Sequence, residues 1–255
     1  MASRPDLSVI VPAYNEEQRI APTLIELYTF LENGTLSYEI LVVDDGSSDG
    51  TVALVERMRE ERPALRCIAS RPNRGKGFAV RRGMFEARGK VRVMCDADGS
   101  IPAEQLPLVV EPVWSGAADI AIGSRYVPGA HVSVRQPIYR VWWSRLCNLV
   151  IQRVLVPGVR DTQCGFKAFS APSARFLFSR AKIDGWAFDL ELLALARRVG
   201  YRICETGVSW SDDARSRIHP LRDAVRVVRE MLTIRRNLRR GAYLLCSAPS
   251  AHLGE

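Results

Sequence analysis

The chain has 255 residues, of which 47% are hydrophobic and 25% charged, and its formal net charge is +8. This composition is typical of a globular protein with a full core, and it excludes disordered, collagen-like and disulfide-scaffold proteins. The positive charge lies in two segments: residues 125–160 contain six arginines and no acid, and residues 214–240 contain nine arginines and two acids. We therefore expect an acidic body with two basic segments, which favour anionic partners such as nucleic acid, phosphate groups or a membrane surface.

The six cysteines are scattered and form no CxxC pair, so the spacing predicts no zinc site. Several lie in apolar runs, which is typical of buried free thiols in a reducing compartment. The sequence MASRPDLSVIVP has no long apolar region before a cleavage site, so we expect no signal peptide. No apolar run reaches the roughly 18 residues of a membrane-spanning helix, so none is predicted.

Short apolar runs alternate with helical periodicity along the first half of the chain. The predicted strands are 7–13, 39–43, 65–70, 90–95 and 119–123, and the predicted helices are 17–31, 48–61 (with Ser48 as a possible N-cap), 77–87 and 103–114. This alternation indicates a parallel sheet covered by helices on both faces. Functional loops in such sheets lie at the carboxyl ends of the strands.

The second half is less regular. The periodicity predicts an amphipathic helix over 137–156, a helix over 188–199, a strand over 202–208 and a second amphipathic helix over 221–240. The last helix carries an apolar stripe beside an arginine stripe, formed by Leu221, Val225, Val228 and Leu232 and by Arg222, Arg226, Arg229, Arg236 and Arg240. No nucleic-acid motif or aromatic platform accompanies these arginines, so we expect no nucleic-acid partner.

Three polar motifs each follow a predicted strand: PAYNEE after the first, DDGSSDGT after the second and DADGS after the fourth. In DADGS, Asp96 and Asp98 place two carboxylates at the end of a buried strand, where they repel each other and lose hydration. A divalent cation that bridges them to a diphosphate relieves both problems, and oxygen ligands suit Mg²⁺ or Mn²⁺. The alternative is a capping turn before the next helix.

The motif DDGSSDGT also matches part of a calcium loop, with Asp45 at the first position. A β-branched run precedes it instead of a helix, so a strand-to-helix turn that offers Asp45 to a nucleotide base or ribose fits better; a capping turn alone stays open. NRGKG (73–77) lacks the complete phosphate-loop pattern, and GxGxxG is absent, which argues against NTPases and dehydrogenases. Lys76 is either a phosphate contact or a solvated lysine.

The motifs VPAYNEE, VVDDGSSDGT, NRGKG, DADGS, GSRY and DTQCGFKAF resemble those of the family-2 inverting glycosyltransferases. Among these the chain is most similar to polyprenyl-phosphate sugar synthases, especially dolichyl-phosphate β-glucosyltransferases, from about residue 7 to residue 243. The resemblance implies an α/β fold of the GT-A type: Rossmann-like, mainly parallel, with helices on both faces and added C-terminal amphipathic helices. We assign 1–212 to this domain and 213–255 to a basic amphipathic segment and tail.

The resemblance also implies roles for individual residues. The donor's base and ribose are assigned to Pro12, Tyr14, Glu16 and Asp45, and the metal and diphosphate to Asp96 and Asp98, with Ser100 nearby. Arg217 stands where relatives carry a basic residue that contacts the donor diphosphate, although this chain has RSR in place of a GSK-like motif. The acceptor phosphate is assigned to Arg125, Arg140 and Ser144, and the sugar side to Gln163 and Cys164.

The resulting expectation is a metal-dependent enzyme that moves a hexose, glucose from UDP-glucose, onto a polyprenyl phosphate with inversion. Transfer of mannose or another hexose, a soluble acceptor, and a nucleotide-sugar-binding protein without activity remain as alternatives. The cofactor is expected to be Mg²⁺ or Mn²⁺. We expect a cytoplasmic protein held peripherally on the cytoplasmic face of a membrane, where the helix over 137–156, with Trp142 and Trp143, lies in the interface. Packing of that helix on the core is the alternative.

Overall fold

The computed structural model describes residues 4–133, 148, 151–211 and 220–243, with side chains of the last segment described from residue 226. The strands are β1 Leu7–Ala13, β2 Tyr38–Asp44, β3 Leu65–Ala69, β4 Val91–Cys95, β5 Ile120–Ser124, β6 His131–Val132, β7 Phe166–Ser170, β8 Ile203–Gly207 and β9 Ser209–Trp210. The helices are α1 Ile20–Glu32, α2 Thr51–Glu60, α3 Lys76–Glu86, α4 Leu106–Trp114, α5 Ala171–Phe178, α6 Phe188–Val199 and α7 Pro220–Arg239.

Seven strands form one sheet in the order β3-β2-β1-β4-β7-β5-β8. The first four strands are parallel to one another, β5 is parallel to β8, and β7 runs antiparallel between β4 and β5. All seven residues of β1 are buried, which requires cover on both faces of the sheet. The predicted mainly parallel α/β sheet is therefore confirmed.

The strand order reverses between β1 and β4, because the chain builds outward from β1 to β3 and then returns to the other side of β1. A crevice opens at the carboxyl ends of the strands at such a reversal, and this crevice is the usual ligand site of an open α/β sheet. PAYNEE begins with the last two residues of β1, and DADGS follows β4. The topology thus brings these two motifs to the same crevice.

The predicted N-cap role of Ser48 is wrong. Helix α2 begins at Thr51, with Gly50 in the cap position and no side-chain cap bond. The amide of Ser48 instead donates to Asn15 Oδ1 at 2.8 Å. The loop after β1 therefore determines the conformation of the turn that follows β2. Local capping preferences do not predict a contact between two loops.

Four elements were not predicted: the two-residue strands β6 and β9, the strand β7 and the helix α5. The strand β7 reads FKAFS, contains no β-branched residue and carries Lys167 in its interior. Lys167 is only 1% exposed, because its Nζ donates to Asp189 Oδ1 at 2.8 Å and to the carbonyl of Cys164 at 2.6 Å. A buried, paired lysine thus occupies a strand position that a sequence pattern assigns to an apolar residue.

The apolar stripe predicted for the last helix faces outward in its described part. Val228 and Leu232 are 49% and 55% exposed, whereas Met231 and Ile234 are buried against the body of the protein. Helix α7 therefore carries two apolar faces, and the outer one adjoins exposed Arg229. The division of the chain at residue 212 stays a prediction.

Most of the predicted helix over 137–156 lies outside the described residues, although 151–154 are helical. Within the described ranges, none of the helices has both the length and the apolar character needed to cross a membrane. The four described cysteines are free thiols, as expected; they are Cys67, Cys95, Cys164 and Cys204.

Helix α3 packs closely on the sheet at Gly83. A Cβ at this position would overlap Ile10 Cγ2 and lie 2.9 Å from Val43 Cγ2. We expect Gly83→Ala to lower the free energy of unfolding by about 1–3 kcal/mol through overpacking, although alanine is the better helix former. Urea denaturation measures this effect, with Glu60→Ala at the exposed end of α2 as a control that changes stability by less than about 0.5 kcal/mol. A Gly83→Ala variant as stable as the parent would contradict the packing argument.

Candidate active site

The loops that follow β1 and β2 are joined by backbone and side-chain hydrogen bonds. Asn15 has a left-handed backbone (φ 56°), a conformation that asparagine tolerates better than most residues. Its amide donates to Ser47 Oγ at 2.8 Å, and its Oδ1 accepts from the amide of Ser48. The next amide, that of Glu16, donates to Thr51 Oγ1 at 2.8 Å. The first two motifs therefore form one connected surface at the carboxyl edge of the sheet.

Asp45 joins this surface to the NRGKG turn. The side chain is buried, and its carboxylate accepts hydrogen bonds from the amides of Arg74 and Gly75, the latter at 2.6 Å. Burial raises the pKa of Asp45, while these two amides act in the opposite direction. Gly75 has a φ of 118° and lies directly against the carbonyl of Asp184, so this turn requires a glycine. Asp45 thus holds the backbone that presents Lys76.

Lys76 reaches from the start of α3 to the end of β4. Its Nζ lies 2.6 Å from Asp96 Oδ1. Burial favours the neutral amine, but the charges of Asp96 and Asp189 outweigh that cost and raise the pKa of Lys76. The lysine is therefore a cation paired within the acidic crevice and not the solvated lysine of the alternative. Its contact with a phosphate stays a prediction.

The carboxylates of Asp96 and Asp98 are both partly accessible at the end of β4. Asp98 Oδ1 accepts the amide of Ser100 at 3.0 Å. Gly165 of the DTQCGFK motif lies directly against the Asp96 carboxylate, where a Cβ would overlap it. The carbonyl of Ser100 in turn accepts the amide of Ser211 at 2.9 Å. This last contact places Ser211 beside the DADGS loop.

The two carboxylates suit a divalent cation in their chemistry. No group of three or more metal-ligating side chains occurs in the part of the chain that the structure describes. Asp96 and Asp98 would therefore supply two oxygen ligands, and a bound anion and water would supply the others. Mg²⁺ is usually bound in this way, through one or two carboxylates and substrate phosphates. The Asp96–Lys76 contact shows that this position already attracts positive charge.

Behind the crevice, Lys167 and Asp189 form a buried ion pair. Their side chains are 1% and 5% exposed. Burial raises the pKa of Asp189, and the ammonium groups of Lys167 and Lys76 oppose that rise. Asp189 therefore lies between two lysines, and it was not predicted as a site residue because neither its helix nor its spacing from the motifs indicates the contact.

Arg125 is placed by a buried acid. Its Nε and Nη2 donate to the two carboxylate oxygens of Asp161 at 2.8 and 2.9 Å, and Asp161 is fully buried. Burial opposes the charge of Arg125, but Asp161 raises its pKa overall. The guanidinium also lies over the rings of Tyr126 and Trp210. Arg125 is thus held in one orientation, with Nη1 left on the side away from Asp161.

Apart from Arg125, the predicted site residues fall into three groups. Asp45, Lys76, Asp96 and Asp98 are connected along the crevice. Around them, Pro12 is buried in β1, Tyr14 is 46% exposed, Glu16 is paired with Arg19, Gln163 is exposed, and Cys164 is buried. Arg140, Ser144 and Arg217 lie outside the described residues, and their roles stay predictions.

The calcium-loop alternative for DDGSSDGT does not fit the geometry. The strand β2 precedes the motif, and the Asp45 carboxylate is taken by backbone amides. Asp49 Oδ1 accepts the amide of Thr51 at 3.0 Å. The acidic groups of this loop therefore bind the protein's own N–H groups instead of converging on an ion.

Residues 8–178 match the family described as glycosyl transferase family 2. The chain belongs to this family. It is therefore a glycosyltransferase.

Relatives support this membership over most of the chain. The "Dolichyl-phosphate beta-glucosyltransferase" of Dictyostelium discoideum is 35% identical over 240 residues, which cover 90% of this chain and 73% of the relative. The Homo sapiens protein of the same name is 35% identical, with 94% of this chain and 78% of the relative covered. The Saccharomyces cerevisiae protein is 33% identical, with 94% and 75% covered.

Solved structures confirm the GT-A fold. Mannosyl-3-phosphoglycerate synthase from Rubrobacter xylanophilus matches with a TM-score of 0.70 at 19% identity, and the match covers 94% of this chain and 76% of that synthase. Glucosyl-3-phosphoglycerate synthase from Mycobacterium tuberculosis was solved with Mn²⁺, UDP-glucose and phosphoglyceric acid. It matches with a TM-score of 0.63 at 22% identity, and the match covers 98% of this chain and 83% of that synthase. At these identities the similarity establishes the fold of this glycosyltransferase.

The buried pair in this glycosyltransferase gives a stability prediction. Lys167→Met leaves the Asp189 carboxylate buried beside an apolar group, and we expect a loss of about 3–5 kcal/mol in the free energy of unfolding. An acid whose pKa is raised by folding binds more protons in the native than in the unfolded state, so its contribution to stability falls as pH rises. The loss should therefore be smaller at acidic pH than at alkaline pH.

Chemical denaturation at several pH values measures this loss. The double variant Lys167→Met/Asp189→Leu removes both charges and should recover most of the stability. If the single and the double variant are equally unstable at every pH, the uncompensated carboxylate is not the cause.

Proposed function

We propose that this enzyme transfers glucose from UDP-glucose to a polyprenyl phosphate with inversion at the anomeric carbon. The names of the relatives support this acceptor class and this sugar, and the identity of 33–35% extends over nine-tenths or more of the chain. The observation that carries the proposal is the acidic pair Asp96 and Asp98, with Lys76 on Asp96, in the crevice where the strand order reverses.

This arrangement suits the leaving group of the reaction. When the anomeric C–O bond breaks, negative charge grows on the nucleoside diphosphate, and the groups aimed at that position lower the barrier. The Lys76 ammonium is one such group. A divalent ion at Asp96 and Asp98, Mg²⁺ or Mn²⁺, would add further neutralisation of the diphosphate. Asp45, Tyr14 and Glu16, with Pro12 beneath them in β1, are assigned to the base and ribose end of the donor, and Arg217 to its diphosphate.

The nucleophile is an oxygen of the lipid phosphate, which is ionised near neutral pH. It attacks the anomeric carbon as the bond to the diphosphate breaks, so no strong general base is needed. The protein's part is then to position the two anions in line and to offset their charge. Arg125 offers Nη1 toward such an anion while Asp161 fixes its other side. Arg140 and Ser144 are proposed to complete the acceptor site, and Gln163 to line the sugar side.

We propose that the enzyme meets its lipid as a peripheral protein on the cytoplasmic face of a membrane. The outer face of α7 supports this proposal, because Val228 and Leu232 are exposed next to Arg229 and Arg236. Apolar side chains flanked by arginines suit the interface of a bilayer that contains anionic lipid.

A donor screen tests the function directly. Purified protein is incubated with a short polyprenyl phosphate, Mg²⁺ or Mn²⁺, and labelled UDP-glucose, UDP-galactose, GDP-mannose or UDP-N-acetylglucosamine. We expect label in the lipid phase with UDP-glucose and a β configuration in the product. Transfer of another hexose would correct the donor, and transfer only to water-soluble acceptors would overturn the lipid assignment.

Removal of one carboxylate tests the proposed metal and diphosphate site. We expect Asp98→Ala to lower kcat by about 100-fold or more, as for other electrostatic groups aimed at a developing charge, while the melting temperature changes little because the side chain is partly exposed. Exposed Glu104, six residues further along, provides the matched control Glu104→Ala. Near-normal turnover of Asp98→Ala at saturating metal would contradict the assignment.

The acceptor assignment makes a separate prediction. Arg140→Ala should raise the KM for polyprenyl phosphate by about tenfold or more, the value of one charge-assisted hydrogen bond, and leave the KM for UDP-glucose nearly unchanged. Steady-state kinetics with each substrate varied in turn measures both. Equal changes in the two KM values would mean that Arg140 does not belong to the acceptor side.

A further inference from the structure

Trp186 is an exposed aromatic side chain beside the acidic crevice. It is 42% exposed, and the centroid of its ring lies 5.5 Å from Lys76 Nζ. The same ammonium is 2.6 Å from Asp96 Oδ1, so the indole and the proposed diphosphate site share one neighbour. No sequence motif contains this tryptophan, and the reaction described above does not use it.

The loop that carries Trp186 is held from the side of the NRGKG turn. The carbonyl of Asp184 accepts the amide of Phe78 at 3.2 Å, and the Asp184 carboxylate binds Arg74 Nη2 at 3.1 Å and also Arg81. The position of the loop is thus coupled to the turn that presents Lys76.

The loop is also held from α6 and α7. Glu191 of α6 accepts the amide of Ile183 at 2.9 Å. Glu230 of α7 accepts the amide of Ala187 at 2.8 Å, lies directly against Gly185, and is oriented by Arg226 at 3.2 Å. The residues on both sides of Trp186 therefore contact one carboxylate of the C-terminal helix.

We propose that Trp186 packs against the sugar ring of the bound donor and that Glu230 is the positioning residue that holds it there. A hexose presents an apolar face of C–H groups, and an indole offers a large apolar surface with a polar edge. The sugar is attached to the diphosphate, so a side chain that shares Lys76 with Asp96 is within reach of a sugar bound there. This inference rests on the proposed function, since it takes a nucleotide sugar as the ligand of the crevice.

Trp114 provides a matched comparison. It is 39% exposed on α4, and Lys90 Nζ lies 5.3 Å from its ring centroid, much as Lys76 lies near Trp186. Lys90, however, immediately precedes β4 and pairs with Asp6 at the opposite edge of the sheet. A change at Trp114 removes a similar cation–aromatic contact without approaching the crevice.

The test compares UDP-glucose with UDP, which lacks the sugar, by calorimetric titration in the presence of Mn²⁺. We expect Trp186→Ala to weaken UDP-glucose binding by about tenfold and UDP binding by less than about twofold. Trp186→Phe should retain most of the affinity, and Trp114→Ala should leave both dissociation constants unchanged. In kinetics the KM for UDP-glucose should rise while that for the lipid stays constant.

Glu230→Ala should reproduce the same selective loss at about threefold, and Glu230→Gln should restore binding because its amide oxygen still accepts the Ala187 N–H. The double variant Trp186→Ala/Glu230→Ala should be no weaker than Trp186→Ala, since both changes act through one side chain. Equal weakening of UDP and UDP-glucose, or a rise only in the lipid KM, would overturn the inference. Glucose transfer by the parent protein is measured separately. A parent protein that transfers no glucose refutes the proposed function. If the parent is active and Trp186→Ala binds UDP-glucose as tightly as the parent, only the role of Trp186 is refuted.

Discussion

The contact between Lys76 and Asp96 is the interaction on which the rest of the site depends. Lys76 is the first residue of α3, where the helix dipole disfavours a cation. The nearby acids Asp96, Asp98 and Asp189 offset this cost and keep the ammonium charged. In return, the lysine relieves the repulsion among these carboxylates at the end of β4. A neutral side chain at position 76 would leave this acidic cluster without one of its two lysines.

The surroundings of that pair are fixed mostly by main-chain groups. The Asp45 carboxylate accepts hydrogen bonds from the amides just before Lys76. A hydrogen bond between Asn15 and Ser48 joins the first two loops, and the carbonyl of Ser100 accepts one from the amide of Ser211. These bonds shape the loops before any ligand is present. A site that is already ordered pays less of the entropy of binding and can aim its charges at the leaving group.

Sequence patterns predicted the framework well because the strands are buried on both faces. The bounds of β1 and α6 were predicted to the residue. Asp45, Asp96 and Asp98 were predicted as site residues from their places after strands, and Lys76 from the NRGKG turn that opens a helix. The missed parts depend on contacts between distant residues. The strand β7 buries Lys167 in a pair with Asp189, Arg125 is fixed by Asp161, and the loop that carries Trp186 is held by Glu230. In each case the two contacting segments are more than 20 residues apart in the chain, and a local hydrophobic pattern does not predict such a contact.

Helix α7 contacts the body of the enzyme on one side and presents exposed apolar residues on the other. Its inner side carries Glu230, Met231 and Ile234, which contact the body of the enzyme, and its outer side carries Val228 and Leu232. If the outer side rests on a membrane as proposed, the same helix that meets the lipid also fixes the loop of Trp186. A shift of α7 at the bilayer would then move the wall of the donor crevice, because Glu230 and Ala187 are joined directly. The arginines of α7 would in that case bind the membrane and, through Glu230, also influence the position of the Trp186 loop.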